Sequence, residues 1–267
     1  MYILHKVHPL LSAFIDSYWE STFEQMHEPL YDELFVAQLY PNIIINLSED
    51  YHRNTERINS TTLIGINTSP IHFLHKSTNQ LFGIRFKPSG LSVFLPICLH
   101  EIANISVSLP DIFGQKGLDL TNRIIDATNS AERIKITEEF FFRHINEHLL
   151  DKWRFYQLAQ EQLMHLCTES NAIPILVKKM NTTQRTFDRH FQQILGLSPK
   201  KISRLLRFQK VFAAMHQPNF RLSQFNYYEM GYYDQAHFSK EFKEFSGFAP
   251  QVYLASEYFV QNLQADH

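Results

Sequence analysis

The sequence predicts an α+β multidomain chain: an N-terminal antiparallel β-rich domain, barrel- or sandwich-like and carrying helices, then a helical linker, then a C-terminal all-α domain of two helix-turn-helix motifs. Three observations predict it. Phe187, Phe191, Gly196 and Pro199 recur as Phe238, Phe242, Gly247 and Pro250, each 51 positions on, so one helical unit stands twice in a single register. Far upstream, short runs of β-branched and aromatic residues alternate with turn formers. Between the two regions the apolar spacing is helical. The expected boundaries are 1–127, 128–170 and 171–267.

The chain has 267 residues, 44% hydrophobic and 14% aromatic, enough for two substantial cores. Cys98 and Cys167 are too few and too far apart for a disulfide framework or a four-thiolate zinc site, which points to a reducing compartment. No run approaches the roughly 20 apolar residues of a membrane span, and MYILHKVHPLL lacks a proper h-region and a cleavage signal. A soluble, cytoplasmic protein without a membrane partner is therefore expected.

Residues 9–19 place Leu10, Leu11, Phe14, Ile15, Tyr18 and Trp19 at three- and four-residue intervals, which predicts a short amphipathic helix. Strands follow at 34–40, 42–47, 61–66, 71–75 and 81–86, an antiparallel sandwich or small barrel. After Pro88 the period turns helical through 91–95 and 118–127, with Pro110 and Gly114 between them. The stretch 130–166 is helical throughout, with Asp151-Lys152 its expected interruption. Its apolar area can pack on one domain, on both, or on a second protomer, and coupling between the domains is expected to pass here.

In the first copy of the repeat, Asn171 is the expected N-cap, and Ile173, Leu176, Val177 and Met180 make an apolar stripe before a left-handed Asn181 turn. A second helix starts near Thr183, buries Phe187, Phe191 and Ile194, turns Gln184, Arg185, Asp188, Arg189 and Gln192 outward, and stops at Gly196. In the second copy Leu222, Phe225 and Met230 precede a Gly231 turn, and Asp234 caps a helix that buries Phe238, Phe242 and Phe245. Gln235, Ala236, Ser239, Lys240 and Lys243 look outward. A polar, basic second helix is the element that enters the major groove. Residues 199–215 form a rigid helix between the copies, so that one chain can reach two successive groove segments.

Charge divides along the same line. Residues 172–254 hold twelve Lys/Arg against five Asp/Glu, whereas the rest of the chain holds 13 against 22. A basic segment able to neutralise phosphates is thereby joined to an acidic remainder that should stay off DNA. Lys200, Lys201, Arg204 and Arg207 are expected to touch the DNA backbone or nothing.

TFDRHF with the following GLSP, and GYYDQAHFSKEFKEFSGFAPQVYL, resemble the two helix-turn-helix motifs of AraC/XylS-type transcription regulators over about the last hundred residues. The resemblance implies double-stranded DNA as partner, with contacts from Thr183, Gln184, Arg185, Asp188, Arg189, Gln235, Ala236, Ser239, Lys240 and Lys243. YPNIIINLSED and GIRFKPSGLSVFLPICLHEIANISVSLPDIFG resemble the uncharacterised β-rich domain that precedes some of these motifs, which implies a sensory or regulatory role for residues 1–127. RNA polymerase, a small-molecule effector and a second copy of the chain are further expected partners, and the output is activation or repression of transcription. The family carries Ala on the first helix of each motif, four residues before the turn; here Val177 and Tyr227 stand there. FNYYEMG is also one residue longer than the common spacing, so Asn226 takes the Ala place if the helix bulges.

Other candidates have plainer readings. His237 has no neighbouring nucleophile and is structural rather than catalytic. His72 and His75, three apart on a strand, point to opposite faces, and no metal spacing is present. Arg85, Lys87 and Ser89 could hold an anion near a helix start, but a strand ending in a Pro turn accounts for them. Asp188 could accept from a cytosine amino group or pair with Arg185 or Gln192. Cys98 is expected to be a small buried hydrophobe. No cofactor, metal or catalytic residue is expected, and the chain is not expected to be an enzyme. The rival readings are an enzyme whose β-domain is recruited to DNA, and a ligand-independent dimeric DNA-binding protein.

Overall fold

The computed structural model describes residues 2–24, 31–48, 51–53, 56–58, 61–75, 78–95, 97–169 and 171–258. Among the described residues ten antiparallel strands make two sheets. In chain order they are β1 (Tyr2–His5), β2 (Ile15–Glu24), β3 (Tyr31–Phe35), β4 (Asn42–Asn46), β5 (Tyr51–Arg53), β6 (Glu56–Ile58), β7 (Thr61–Ile64), β8 (Ile71–His75), β9 (Thr78–Phe86) and β10 (Ser106–Val107). The larger sheet runs β1-β2-β9-β4-β7-β10 and the smaller β3-β8-β5-β6.

The larger sheet is covered on both faces. Along β4, Ile43 and Ile45 join the main core while Ile44 faces the smaller sheet; Leu63 and Ile64, and Tyr18 and Trp19, divide in the same way. Continuous apolar runs therefore replace the alternation of a half-exposed strand. Gly83 is required where β9 passes Trp19, because a Cβ there would meet the indole at 1.9 Å.

The helix expected over 9–19 is corrected. A helical turn from His8 to Ile15, with Phe14 and Ile15 N–H donating to Leu11 O at 2.9 Å, gives way to β2. Leu10, one member of the supposed stripe, is 71% exposed. The three- and four-residue spacing arises because Leu11 and Phe14 belong to the turn and Tyr18 and Trp19 to opposite faces of a doubly covered strand. The strand expected over 34–40 ends at Phe35, and Gln38 makes only an isolated bridge with Asn67. β1, the β5–β6 pair and β10 were not expected from the sequence.

Two 3-10 turns, η1 (Gly90–Val93) and η2 (Leu99–Glu101), follow the larger sheet, then helices α1 (Leu109–Phe113), α2 (Gln115–Asp126), α3 (Ser130–His144) and α4 (Glu147–Leu166). The break in the long helical stretch lies at Ile145-Asn146, not at Asp151-Lys152. Ile145 is extended, Asn146 Oδ1 caps the His148 N–H at 3.1 Å, and Asn146 N–H donates to Val93 O at 2.9 Å. Asp151 and Lys152 sit within α4.

The remaining elements are α5 (Ala172–Lys179), α6 (Gln184–Leu195), α7 (Pro199–Met215), η3 (Leu222–Gln224), α8 (Gln235–Ser246) and α9 (Pro250–Leu254). One apolar core runs from the larger sheet through α4 into α6, α7 and α8. Phe14 meets Trp153 of α4 at 4.6 Å between ring centroids, and Trp153 Nε1 donates to the buried Ser89 at 3.2 Å. No helix among the described residues is long and apolar enough to cross a membrane.

Candidate nucleic-acid interface

α6 and α8 are each started and stopped by their own residues. Thr183 Oγ1 accepts from Thr186 N–H at 3.2 Å to cap α6, and Asp234 Oδ1 accepts from His237 N–H at 2.7 Å to cap α8. Both end on a left-handed glycine, Gly196 at φ 78° and Gly247 at φ 85°. Phe187 and Phe191 on α6, and Phe238, Phe242 and Phe245 on α8, are buried. His237 Nδ1 accepts from Tyr233 N–H at 3.3 Å, completing a reciprocal cap at the start of α8.

The opposite faces are open. Thr183, Gln184, Arg185 and Arg189 of the first unit and Gln235, Ala236, Lys240 and Lys243 of the second are exposed; Asp188 and Ser239 are half-buried. Asp188 Oδ1 accepts from Gln184 Nε2 at 2.7 Å, so its partner is Gln184 and not the expected Arg185 or Gln192.

The first helices of the two units differ. α5 is a regular helix leading to Asn181 at φ 47°, although Asn171 gives it no side-chain cap, contrary to the sequence reading. In the second unit no α-helix forms over 222–230: η3 is followed by a turn in which Asn226 Oδ1 accepts from Tyr228 N–H at 3.1 Å and Asn226 Nδ2 donates to Glu229 Oε1 at 2.7 Å. The side chain of Asn226 competes for the backbone donors that a helix needs. Tyr227 is half-buried in that turn, its ring 5.1 Å from those of Phe225 and Phe238, so it is packed rather than forced into a helix crossing.

Three of the four α7 cations named above are occupied. Glu241 of α8 is 1% exposed and receives Arg204 Nε at 2.7 Å and Arg207 Nε at 2.9 Å; Lys201 and Arg204 both reach Glu244. Arg207 also donates to Gly231 O at 2.9 Å and lies 4.5 Å from the Tyr232 ring centre, which ties the turn to α7 and α8. Burial pushes the Glu244 carboxyl up, but hydrogen bonds from Arg204 and Lys201 outweigh it and leave it below the usual range. In the first unit, Tyr156 of α4 meets His190 of α6, and Lys152 Nζ donates to Gln193 Oε1 at 2.6 Å. Burial, then Lys152 and Arg189, hold the His190 imidazole below its ordinary value.

Residues 176–256 match a family described as a helix-turn-helix domain, and residues 5–108 match one described as a domain of unknown function, DUF6597. The carboxy-terminal region is an AraC-type helix-turn-helix domain. No curated protein matches the chain. Among solved structures, ToxT from Vibrio cholerae is similar at 12% identity and a TM-score of 0.48, over 89% of this chain and 98% of that one. ToxT from strain O395 gives 15% and 0.45, over 88% and 95%.

An AraC-type domain binds DNA, which makes the chain a DNA-binding transcription regulator. Two features of the domain escaped the sequence reading. Glu241 lies between Phe238 and Phe242 on the buried face of α8, and a carboxylate in that position requires cations, which Arg204 and Arg207 supply from successive turns of α7. α4, read as linker, packs against α5, α6 and α7. Elsewhere, Cys98 is half-exposed rather than buried, its N–H donating to Glu101 Oε1 at 3.0 Å. Arg85, Lys87 and Ser89 do not converge, since Ser89 lies under Trp153. His72 pairs with Asp32, and the side chain of His75 lies outside the described residues.

Proposed function

We propose that the chain recognises specific DNA sequences with α6 and α8, through Arg185, Asp188, Arg189, Gln235, Ser239 and Lys240 at base edges and Thr183, Gln184, Ala236 and Lys243 beside them. What carries this reading is the pair of equally capped helices whose polar faces are open while their Phe faces are buried. Arg185, Arg189, Lys240 and Lys243 make no ion pair among the described residues, unlike Lys201, Arg204 and Arg207, and so remain available to phosphates and bases.

Within this reading residues 1–127 act as a sensor, 128–170 couple it to the DNA-binding part in 171–267, and the protein works in the cytoplasm without catalysing a reaction. A ligand can change transcription only by binding one arrangement of these parts better than another. RNA polymerase and a second copy of the chain are the macromolecular partners this reading supplies. Selection of duplexes from a random-sequence pool by the full chain tests it. A single enriched motif is expected; recovery of unrelated sequences with equal affinity overturns sequence-specific recognition.

A further inference from the structure

The turn that leads into α8 carries two pairs of adjacent tyrosines, and each pair divides. Tyr227 is half-buried and Tyr232 is 2% exposed, both with their rings against Phe238, whereas Tyr228 is 73% exposed and Tyr233 81%. No other Phe, Trp or Tyr among the described side chains stands so far into solvent.

The turn itself is fixed. Tyr232 N–H donates to Tyr227 O and Gly231 N–H to Tyr228 O, both at 2.9 Å, around Gly231 at φ 76°. Arg207 holds Gly231 O and lies over the Tyr232 ring. Beyond them, Tyr233 N–H is taken by His237 Nδ1, and the next residue, Asp234, caps α8. The backbone on both sides of Tyr233 is therefore held while its ring is free, so ordering that ring against a partner costs little conformational entropy.

Tyr233 is also the residue by which the second unit is longer at this point. In the first unit Asn181 at φ 47° and Thr182, whose N–H donates to Val177 O at 3.2 Å, lead directly into the Thr183 cap. In the second, Gly231 and Tyr232 repeat that pair, and Tyr233 is added before the Asp234 cap. An apolar ring just ahead of a cap ordinarily packs on the fourth helical residue, here Phe238. Tyr232, Tyr227 and Phe225 already cover Phe238, which leaves Tyr233 without that role.

An added ring with no packing role thus stands beside Gln235 and Ala236, at the start of the helix read above as entering the major groove. It precedes that helix, and so meets the strand bordering the groove rather than the base edges on its floor. A phenol is a neutral donor suited to a phosphate oxygen. The neighbouring carboxylates of Asp234 and Glu229 are engaged within the turn, with His237 N–H and Asn226 Nδ2. We propose that Tyr233 Oη donates to one backbone phosphate at the rim of the groove segment read by α8, a contact for which α6 has no equivalent residue. The contact rests on the reading of α8 as a DNA-reading helix; it fixes register and adds affinity without selecting sequence.

A duplex selected by the full chain, carrying one methylphosphonate at a time along the α8 segment, tests it with Tyr233→Phe as the paired variant. On unmodified DNA, Tyr233→Phe is expected to bind about five- to tenfold more weakly than the unmutated chain, with the preferred sequence unchanged. The dependence on salt should also be unchanged, since no charge is removed. At a single position the methylphosphonate should weaken the unmutated chain about fivefold more than it weakens Tyr233→Phe, and elsewhere the two chains should lose equally. Unchanged affinity of Tyr233→Phe, equal losses at every phosphate, or an altered sequence preference overturns the phosphate contact while leaving α8 as a reader. If no phosphate along the α8 segment matters to the unmutated chain, the reading of α8 itself fails and the contact with it.

Discussion

The two units of the AraC-type domain hold α6 and α8 at the same register positions with different chemistry. His190 and Glu241 stand 51 residues apart, as do Gln193 and Glu244. On α6 this pair meets Tyr156 and Lys152 of α4; on α8 it meets Arg204, Arg207 and Lys201 of α7. The first clamp is an imidazole with a phenol and an amide with an ammonium; the second is a buried carboxylate between two guanidinium groups. The repeated unit is therefore larger than two short helices and includes the long helix before them. The ionic clamp also removes cations from the set available to DNA, which a count of charges along the chain cannot reveal.

Breaking the second clamp should cost most. Glu241→Ala leaves Arg204 and Arg207 partly buried without their carboxylate and is expected to lower unfolding free energy by ~3–5 kcal/mol in urea titrations. His190→Ala, the matching change in the first unit, should cost about 1–2 kcal/mol, since hydrogen-bonded but uncharged groups are lost. Equal losses at the two positions would erase the distinction between the clamps.

Tyr227→Ala should destabilise by ~1–3 kcal/mol, because a half-buried ring leaves Phe225 and Phe238 uncovered. Val177→Ala in α5 should cost about 1 kcal/mol or less, there being less side chain to remove from a half-buried site. A more stable Tyr227→Ala protein would show instead that the ring strains the turn.

On DNA, Arg189→Ala should reduce discrimination between the selected duplex and a scrambled one by about 1–3 kcal/mol. Lys243→Ala should lower the slope of log affinity against log salt by about 1, whereas Lys201→Ala, whose ammonium is already with Glu244, should leave that slope unchanged. A fall for both lysines would mean that the α7 clamp opens on DNA.

The smallest effect is in pH. His190 has its folded value below its unfolded one, so the unfolded chain takes the proton first and the first clamp weakens as pH falls below ~6.5. Glu244 is likewise held low, but its unfolded reference is near 4.3, so the second clamp weakens only in more acid solution. Melting temperatures at mildly acidic pH should show a drop that His190→Gln reduces and Glu244→Gln does not.

How much of this was legible depended on whether a residue's role is local. Caps, Gly stops and the Phe faces of α6 and α8 follow from spacings within one helix, and the sequence displays them. The β-rich region was visible through its turn formers, but residues 9–19 misled because a doubly covered strand has no polar face to mark its period. The second unit's first helix failed for a reason already present in the chain: Asn226 offers a side-chain turn where the first unit, 51 residues earlier, has Ile175. Pairings across more than thirty residues, such as Arg204 with Glu241 or Ala37 with Phe245, left only indirect traces. A carboxylate on an apolar stripe was the clearest of them.

Hydroxyl-radical footprinting of the full chain, at concentrations where it is monomeric, on a duplex selected from random sequence tests the two-helix account most directly. One chain should protect two adjacent major-groove segments about one helical turn apart, with Arg189→Ala relaxing sequence preference in one and Lys240→Ala in the other. Protection of a single segment, with neither substitution changing the preferred sequence, would contradict it.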